Sequence, residues 1–333
     1  MDIVSWLAWG VGGVMVVFMG AYLLVTVYIV GQLWPIDVMK SLQKPINQGK
    51  GGKKLVEQVE TEHYRRVQVI EKGIERISYY PKVKRFDRPI VMQHGMWHGG
   101  WCWETWQVML AEWGWESHAH SLPGHGLSPA QKPVPKCTLD YYLNFLQAEV
   151  GRYEKPILMG HSMGGALSQW FLKYVEQELT AVVLVAPWAA HRVLRAPALT
   201  AGMMSDPTLA VRMMWRMDAY PMVDPARNAG QLLITEGALY TAEALHERLG
   251  NESALVMYQH MKPFWTPPTE VAVPMLVVNG TEDKATDFAG GKETAEFYGA
   301  DFIGVVGEGH NLMMERGYKE TVTKIHEWLK GRV

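Results

Sequence analysis

Short apolar runs that lack polar alternation recur from Pro89 onward, and they constrain the fold more than any other feature. Pro89–Gln93, Ile157–Met159, Ala181–Val185, Pro274–Val278 and Phe302–Val306 are each too short for a helix. A strand covered on both faces reads this way, because neither face has to meet water. Between or after these runs lie segments of helical spacing at Trp103–Trp113, Leu139–Val150, Ala166–Val175 and Tyr318–Leu329. Repeated strand-then-helix order predicts an α/β architecture with a mostly parallel central sheet flanked by helices. Ahead of it, Tyr64–Ile70 and Ile74–Tyr80 are β-prone runs separated by Glu71-Lys72-Gly73, which predicts an opening hairpin. The rhythm fails between Pro187 and Pro268, where Met, Ala, Arg and Trp recur at helical spacing, so this stretch is expected to be a helical insertion between two sheet strands. The expected body therefore comprises residues 61–186 and 269–333, interrupted by residues 187–268.

The N-terminus follows different rules. No Asp, Glu, Lys or Arg occurs between Asp2 and Asp37. A helix over Ile3–Leu33 would span roughly 45 Å at ~1.5 Å per residue, enough to cross a hydrocarbon layer of about 30 Å. Trp6 and Trp9 near one end, with Tyr28 and Trp34 near the other, match the aromatic belts of the two interfaces. A cleaved signal peptide fits less well, since no basic residue precedes the run and no small-x-small cleavage site follows it. Residues 1–36 are thus expected to form a single-pass membrane anchor in the lipid bilayer. Residues 37–60 are expected to form a juxtamembrane linker, because Asn47 to Lys54 is rich in Gly and Lys. Lys40, Lys44, Lys50, Lys53 and Lys54 follow the anchor, and the positive-inside rule then puts the catalytic body in the cytoplasm. Ala8 and Gly12 make one small-xxx-small pair, a signal for homodimer contact within the anchor.

Charge and cysteine content exclude other classes. A formal net charge of −2 provides no basic excess for holding nucleic-acid phosphates, so no nucleic acid is expected as a partner. Cys102 and Cys137 do not form a C-x-x-C pair, and two cysteines cannot make a disulfide framework.

The most specific chemical signal is Gly160-His161-Ser162-Met163-Gly164, which follows a short apolar strand and precedes a helical pattern. That is the setting of a nucleophile elbow. A serine hydroxyl is a weak nucleophile and must project from a tight turn where a base can reach it. Small residues two before and two after remove the steric obstruction.

With this elbow the chain resembles the α/β-hydrolase superfamily from about Tyr64 to Leu329, and further landmarks agree. His94-Gly95-Met96-Trp97 is similar to the family's H-G-x oxyanion loop, which implies the Met96 backbone N–H as one donor to the developing oxyanion. The resemblance implies the N–H of Met163, directly after the nucleophile at the helix start, as the second. Leu122 to Ser128 resembles the P-G-H-G-x-S loop, although His120-Ser121 stand where the family often has an Asp. Family order is nucleophile, acid, base. Glu308-Gly309-His310-Asn311 after the last strand matches the loop of the catalytic imidazole, and Asn279 to Asp283 resembles the G-x-x-D turn. These imply His310 as base and Asp283 as acid, with Glu282 and Asp287 as nearby rivals. A metal site built from His118, His120 and His125 is disfavoured, since no carboxylate or cysteine completes a set at ligand spacing.

The resemblance implies acyl transfer through an acyl-serine, with no cofactor and no metal. Insertions at this place in the family commonly form a lid over the pocket. Eight methionines between Met203 and Met261, with Trp188, Trp215 and Trp265, suit a surface that accepts flexible alkyl chains. The expectation is a membrane-anchored serine hydrolase cleaving a lipophilic ester or lipid. The alternatives are an acyltransferase using the same triad and a non-catalytic ligand-binding protein on the same fold.

Overall fold

Runs of Ile, Val, Leu and Met supply strands buried along their whole length at the centre of one nine-stranded sheet, and charged runs supply its solvated edge. The computed structural model describes residues 20, 23–24, 26–44, 46, 52–191, 206 and 208–333. In chain order the strands are β1 Lys53–Glu60, β2 Tyr64–Glu71, β3 Ile74–Pro81, β4 Ile90–Gln93, β5 Ser117–His120, β6 Ile157–His161, β7 Ala181–Val185, β8 Met275–Gly280 and β9 Asp301–Val305. Across the sheet the order is β1-β2-β3-β5-β4-β6-β7-β8-β9. The first pairings, β1 to β2, β2 to β3 and β3 to β5, are antiparallel, and every later one is parallel. Parallel neighbours need crossovers, and the helices provide them.

From Val38 onward the described α-helices are α1 Val38–Leu42, α2 Glu104–Glu112, α3 Leu139–Val150, α4 Met163–Tyr174, α5 Thr208–Arg216, α6 Ala226–Leu233, α7 Ala242–His246, α8 Leu255–Gln259, α9 Phe288–Tyr298 and α10 Tyr318–Lys330. In α10, Thr321, Val322, Ile325 and Leu329 are buried, an i, i+4, i+8 stripe against the body. Asp287 caps the start of α9 by accepting from the Gly290 N–H, and Gly299 ends that helix in the left-handed region at φ 63°. α9 and the polar strand β5, whose sequence is Ser-His-Ala-His, are among the elements that apolar patterning missed.

One expectation about the N-terminal third changes. Of the stretch expected to be a linker, residues 37–60, Val38–Leu42 and Lys53–Glu60 are built into the body. Ser41 of α1 donates to Asp140 Oδ2 at 2.6 Å, and its carbonyl accepts from Asn144 Nδ2 at 2.8 Å, both on α3. β1 begins at Lys53 and pairs antiparallel with β2 around a bulge between Leu55 and Glu57. All eight of its residues are exposed, so backbone pairing and not burial makes it a strand, and its solvated composition imitates a linker. Residues 1–37 form a unit of their own. Among the described residues no helix is long and apolar enough to cross a membrane. Most of the Ile3–Leu33 run, with the Ala8 and Gly12 pair, lies outside them.

The described residues within 187–268 hold α5 to α8 and a 3-10 turn at Tyr220–Met222, with one isolated bridge between Asp218 and Ser253.

Candidate active site

Parallel strands leave their C-terminal ends on one rim of the sheet, and four loops from that rim, after β4, β6, β8 and β9, form the candidate site. β6 ends at His161 and α4 begins at Met163, so Ser162 alone makes the turn between them, at φ 54° and ψ −116°. A non-glycine residue there carries strain of about 1–3 kcal/mol, which the surroundings must hold. The Ser162 N–H donates to Val185 on β7 at 3.0 Å, and its carbonyl accepts from the Ala166 N–H at 3.1 Å. The flanking glycines are required by close approach. A Cβ at Gly160 would stand 2.3 Å from the Gly164 carbonyl oxygen, and one at Gly164 would stand 2.3 Å from that of Gln93. Met163 opens α4, where first-turn amides lack partners within the helix and the dipole is positive.

The loop after β8 carries Asp283. Its Oδ1 accepts the N–H groups of Ala285 at 2.9 Å and Thr286 at 2.8 Å, and its Oδ2 accepts the Thr286 hydroxyl at 2.8 Å. The loop after β9 carries His310, whose Nδ1 lies 2.9 Å from Asp283 Oδ2, both side chains being buried. An ionised carboxylate only accepts, so the His310 proton sits on Nδ1 and Nε2 keeps its lone pair for base chemistry. Of the rival acids, Glu282 is exposed and Asp287 is committed to the α9 cap.

Histidine bonds tie the loops together. His161 Nε2 is 3.2 Å from the His310 carbonyl, which can only accept, so that nitrogen carries the proton. Burial, before the neighbouring His310 and His98, holds the His161 ring well below its ordinary pKa and therefore neutral. On the loop after β4, His94 Nε2 accepts the Leu122 N–H at 3.0 Å, which leaves Nδ1–H to donate to the Gly95 carbonyl at 2.7 Å. That carbonyl and the Met96 N–H belong to one peptide unit, so the bond orients and polarises the amide expected to serve as an oxyanion donor. Met96 and Met163 are both buried here.

Sequence patterns missed Thr286 and Asn279, whose Nδ2 reaches Asp283 Oδ2 at 3.4 Å. For Thr286 a partial signal existed: Asp favours an Asx turn, in which it accepts the N–H two residues on, here Ala285, and the next residue is brought back onto the carboxylate. The three histidines weighed as metal ligands are otherwise engaged or separated. His118 bonds Ser78 and Glu116, His125 bonds Glu252, and both nitrogens of buried His120 lack a hydrogen-bond partner. Among the described residues no group of three or more His, Cys, Asp or Glu could hold a metal ion.

Residues 90–324 match the sequence profile of the alpha/beta hydrolase family, and the chain belongs to that family. It is 30% identical over 106 residues to norfluorocurarine synthase 1 of Strychnos nux-vomica, covering 30% of this chain and 40% of that protein. Methylesterase 7 of Arabidopsis thaliana is 29% identical over 106 residues, covering 31% of this chain and 41% of its own. The chain thus aligns with about two fifths of the length of these relatives. A thermophilic esterase from Thermogutta terrifontis superposes with a TM-score of 0.59 at 17% identity, over 84% of this chain and 99% of that one. A soluble variant of monoglyceride lipase from Saccharomyces cerevisiae, bound to a substrate analogue, gives 0.59 at 13% identity, over 87% and 99%. At such identities the likeness is one of fold.

Proposed function

We propose that the protein is a serine hydrolase of carboxylic esters with Ser162 as nucleophile, His310 as base, Asp283 as acid and the Met96 and Met163 amides as oxyanion donors. The observation that carries this reading is the His310 to Asp283 bond on the same sheet rim as a serine held alone in a strained strand-to-helix turn. His310 Nε2 takes the Ser162 proton as the oxygen attacks the ester carbonyl, and the two amides hold the resulting oxyanion. The leaving alcohol departs with the proton returned by His310, and water activated at the same nitrogen releases the acyl group. Names of similar proteins, among them a methylesterase and a monoglyceride lipase, support an ester-cleaving reading.

The substrate is lipophilic in this proposal. Methionine-rich composition in residues 187–268 supports it, as does a run free of Asp, Glu, Lys and Arg over residues 3–36, read as a bilayer anchor with the body cytoplasmic. A fluorophosphonate probe tests the chemistry. The wild-type protein is expected to label, with Ser162→Ala blank, and p-nitrophenyl esters to be cleaved faster at medium chain length than as acetate. Equal labelling of Ser162→Ala would refute the nucleophile. Carbonate extraction of membranes tests the anchor, which fails if salt alone releases the full-length protein.

A further inference from the structure

The loop after β4 contains a second histidine that the mechanism above leaves without a task. His98 is buried, stacked on Trp101 with ring centroids 5.4 Å apart and set edge-on to His161 at 5.8 Å. Its Nδ1 lies 2.6 Å from the Met96 carbonyl oxygen. Its Nε2 lies 3.0 Å from Asn311 Nδ2, an amide nitrogen that can only donate. The two contacts fix one tautomer: Nε2 accepts from Asn311, and Nδ1–H donates to Met96. Asn311 directly follows His310, and its own N–H is anchored on the Leu233 carbonyl at 2.9 Å.

The held segment needs holding. Trp97, directly after Met96, sits at φ 63°, a conformation a bulky side chain rarely adopts. Two bonds brace the carbonyls on either side of that strained residue's amide and beyond it. His98 takes the Met96 carbonyl from within the loop, and the Gly250 N–H takes the Trp97 carbonyl at 2.8 Å from the insertion. His94 meanwhile holds the preceding peptide through the Gly95 carbonyl. The amide of Met96 therefore sits between two carbonyls, each bonded to a buried imidazole.

From this geometry we infer that His98 is a positioning residue for the oxyanion donor: it locks the peptide that follows Met96, and with it the Met96 backbone, in place, and Asn311 couples that lock to the loop carrying His310. The inference rests on the serine-hydrolase reading. It assigns His98 no contact with substrate. Burial lowers the His98 pKa to about 4, so the ring stays a neutral, single-tautomer donor near neutral pH.

The test compares His98→Leu, which removes the donor, with His98→Asn, whose Nδ2 can stand where the imidazole Nδ1 stood. Steady-state kinetics on a soluble p-nitrophenyl ester are expected to give a kcat for His98→Leu lower by about 10–100-fold with KM within about twofold, as for an interaction realised in the transition state. His98→Asn is expected to recover most of that loss. Asn311→Leu, which keeps the imidazole and frees its tautomer, is expected to lose about 3–10-fold in kcat on the same argument. Its acid limb in kcat/KM against pH should not move, since the defect is at the oxyanion side and not at His310. Equal losses in His98→Leu and His98→Asn, or a loss explained entirely by the unfolded fraction, overturn the inference. So does a shifted acid limb in Asn311→Leu. If His98→Leu does not fold, His98→Asn and Asn311→Leu decide alone. Turnover that survives Ser162→Ala refutes the hydrolase reading itself, whereas a dead Ser162→Ala beside an unaffected His98→Leu refutes only the role of His98.

Discussion

Two fully buried histidine–carboxylate pairs sit among the described residues, alike in chemistry and different in place. His310 and Asp283 meet at 2.9 Å on the rim where the parallel strands end. His125 and Glu252 meet at 3.0 Å with both side chains fully buried, joining the loop after β5 to the helical insertion. Glu252 also accepts the Tyr142 hydroxyl at 3.0 Å and the Ser253 N–H at 2.8 Å, while the remaining nitrogen of His125, Nδ1, is buried with no partner. Asp283 is held by its own Asx turn instead, in a loop that serves His310. A bonded imidazole and carboxylate are therefore no signature of catalysis by themselves. What separates the pairs is the surrounding element: one lies beside a strained serine turn, and the other fastens two parts of the chain together.

The comparison breaks most sharply on activity. Ser162→Ala and His310→Ala are each expected to lower kcat by on the order of 10⁴-fold or more, because the residues act as a unit. Asp283→Asn is expected to lose about 10⁴-fold through the wrong imidazole tautomer, with the melting temperature little changed. For Glu252→Ala the pattern should invert. Removing one partner of a buried pair is expected to cost on the order of 2–4 kcal/mol of stability, while kcat per folded molecule stays within about threefold. Denaturant titration beside steady-state kinetics measures both. A Glu252→Ala protein that is stable and inactive would erase the distinction.

The sequence made one pair legible and hid the other for a physical reason. His310 and Asp283 each follow a short apolar strand, so local pattern and family order locate them without any knowledge of contacts. Glu252 lies 127 residues from His125, inside an insertion with no strand to fix its frame, and only the folded chain brings the two together. The same logic covers the elements. α3 was readable to the residue from its apolar spacing, whereas β5 is a strand made of Ser and His whose burial comes from neighbours β3 and β4. His98 was likewise invisible as anything but part of a loop, since its partners Met96 and Asn311 are two and 213 positions away.

A further contrast separates histidines paired with a carboxylate from those buried without one. Burial holds His98 and His120 down to about 4 and His260 to about 3, and keeps His94 well below the ordinary value. Each is neutral in the fold and takes up a proton near pH 6.5 once unfolded. The unfolded chain then binds more protons, so this contribution is present above about pH 6.5 and is lost progressively as pH falls toward 4. The melting temperature is expected to be flat between pH 7 and 8 and to fall by on the order of five degrees or more from pH 6.5 to 4.5. A flat profile through pH 4.5 would mean these rings are not buried neutral.

The smallest expected effect concerns the insertion's outer face and sharpens the difference between holding the fold and meeting the substrate. On α5, Leu209 and Met213 are buried, one turn apart, while Val211 and Trp215 lie on the opposite face and are exposed, Trp215 to 89%. A period of 3.6 residues puts these two sets about half a turn apart, so one face packs and the other meets solvent. Scattered surface apolar residues are ordinary, but if the substrate is lipophilic as proposed, a tryptophan this exposed on the insertion would be placed to dip into a micelle or bilayer surface. Trp215→Ala is therefore expected to raise the apparent KM for a micellar long-chain ester by about two- to fivefold, with kcat, melting temperature and turnover of a soluble short-chain ester unchanged, as for loss of uniform binding. Met213→Ala, by contrast, removes buried volume and is expected to cost about 2–3 kcal/mol of stability. Should Trp215→Ala weaken both esters alike, the residue acts inside the pocket; if it changes neither, this face of α5 plays no part in meeting an apolar surface, and the lipophilic reading loses that support.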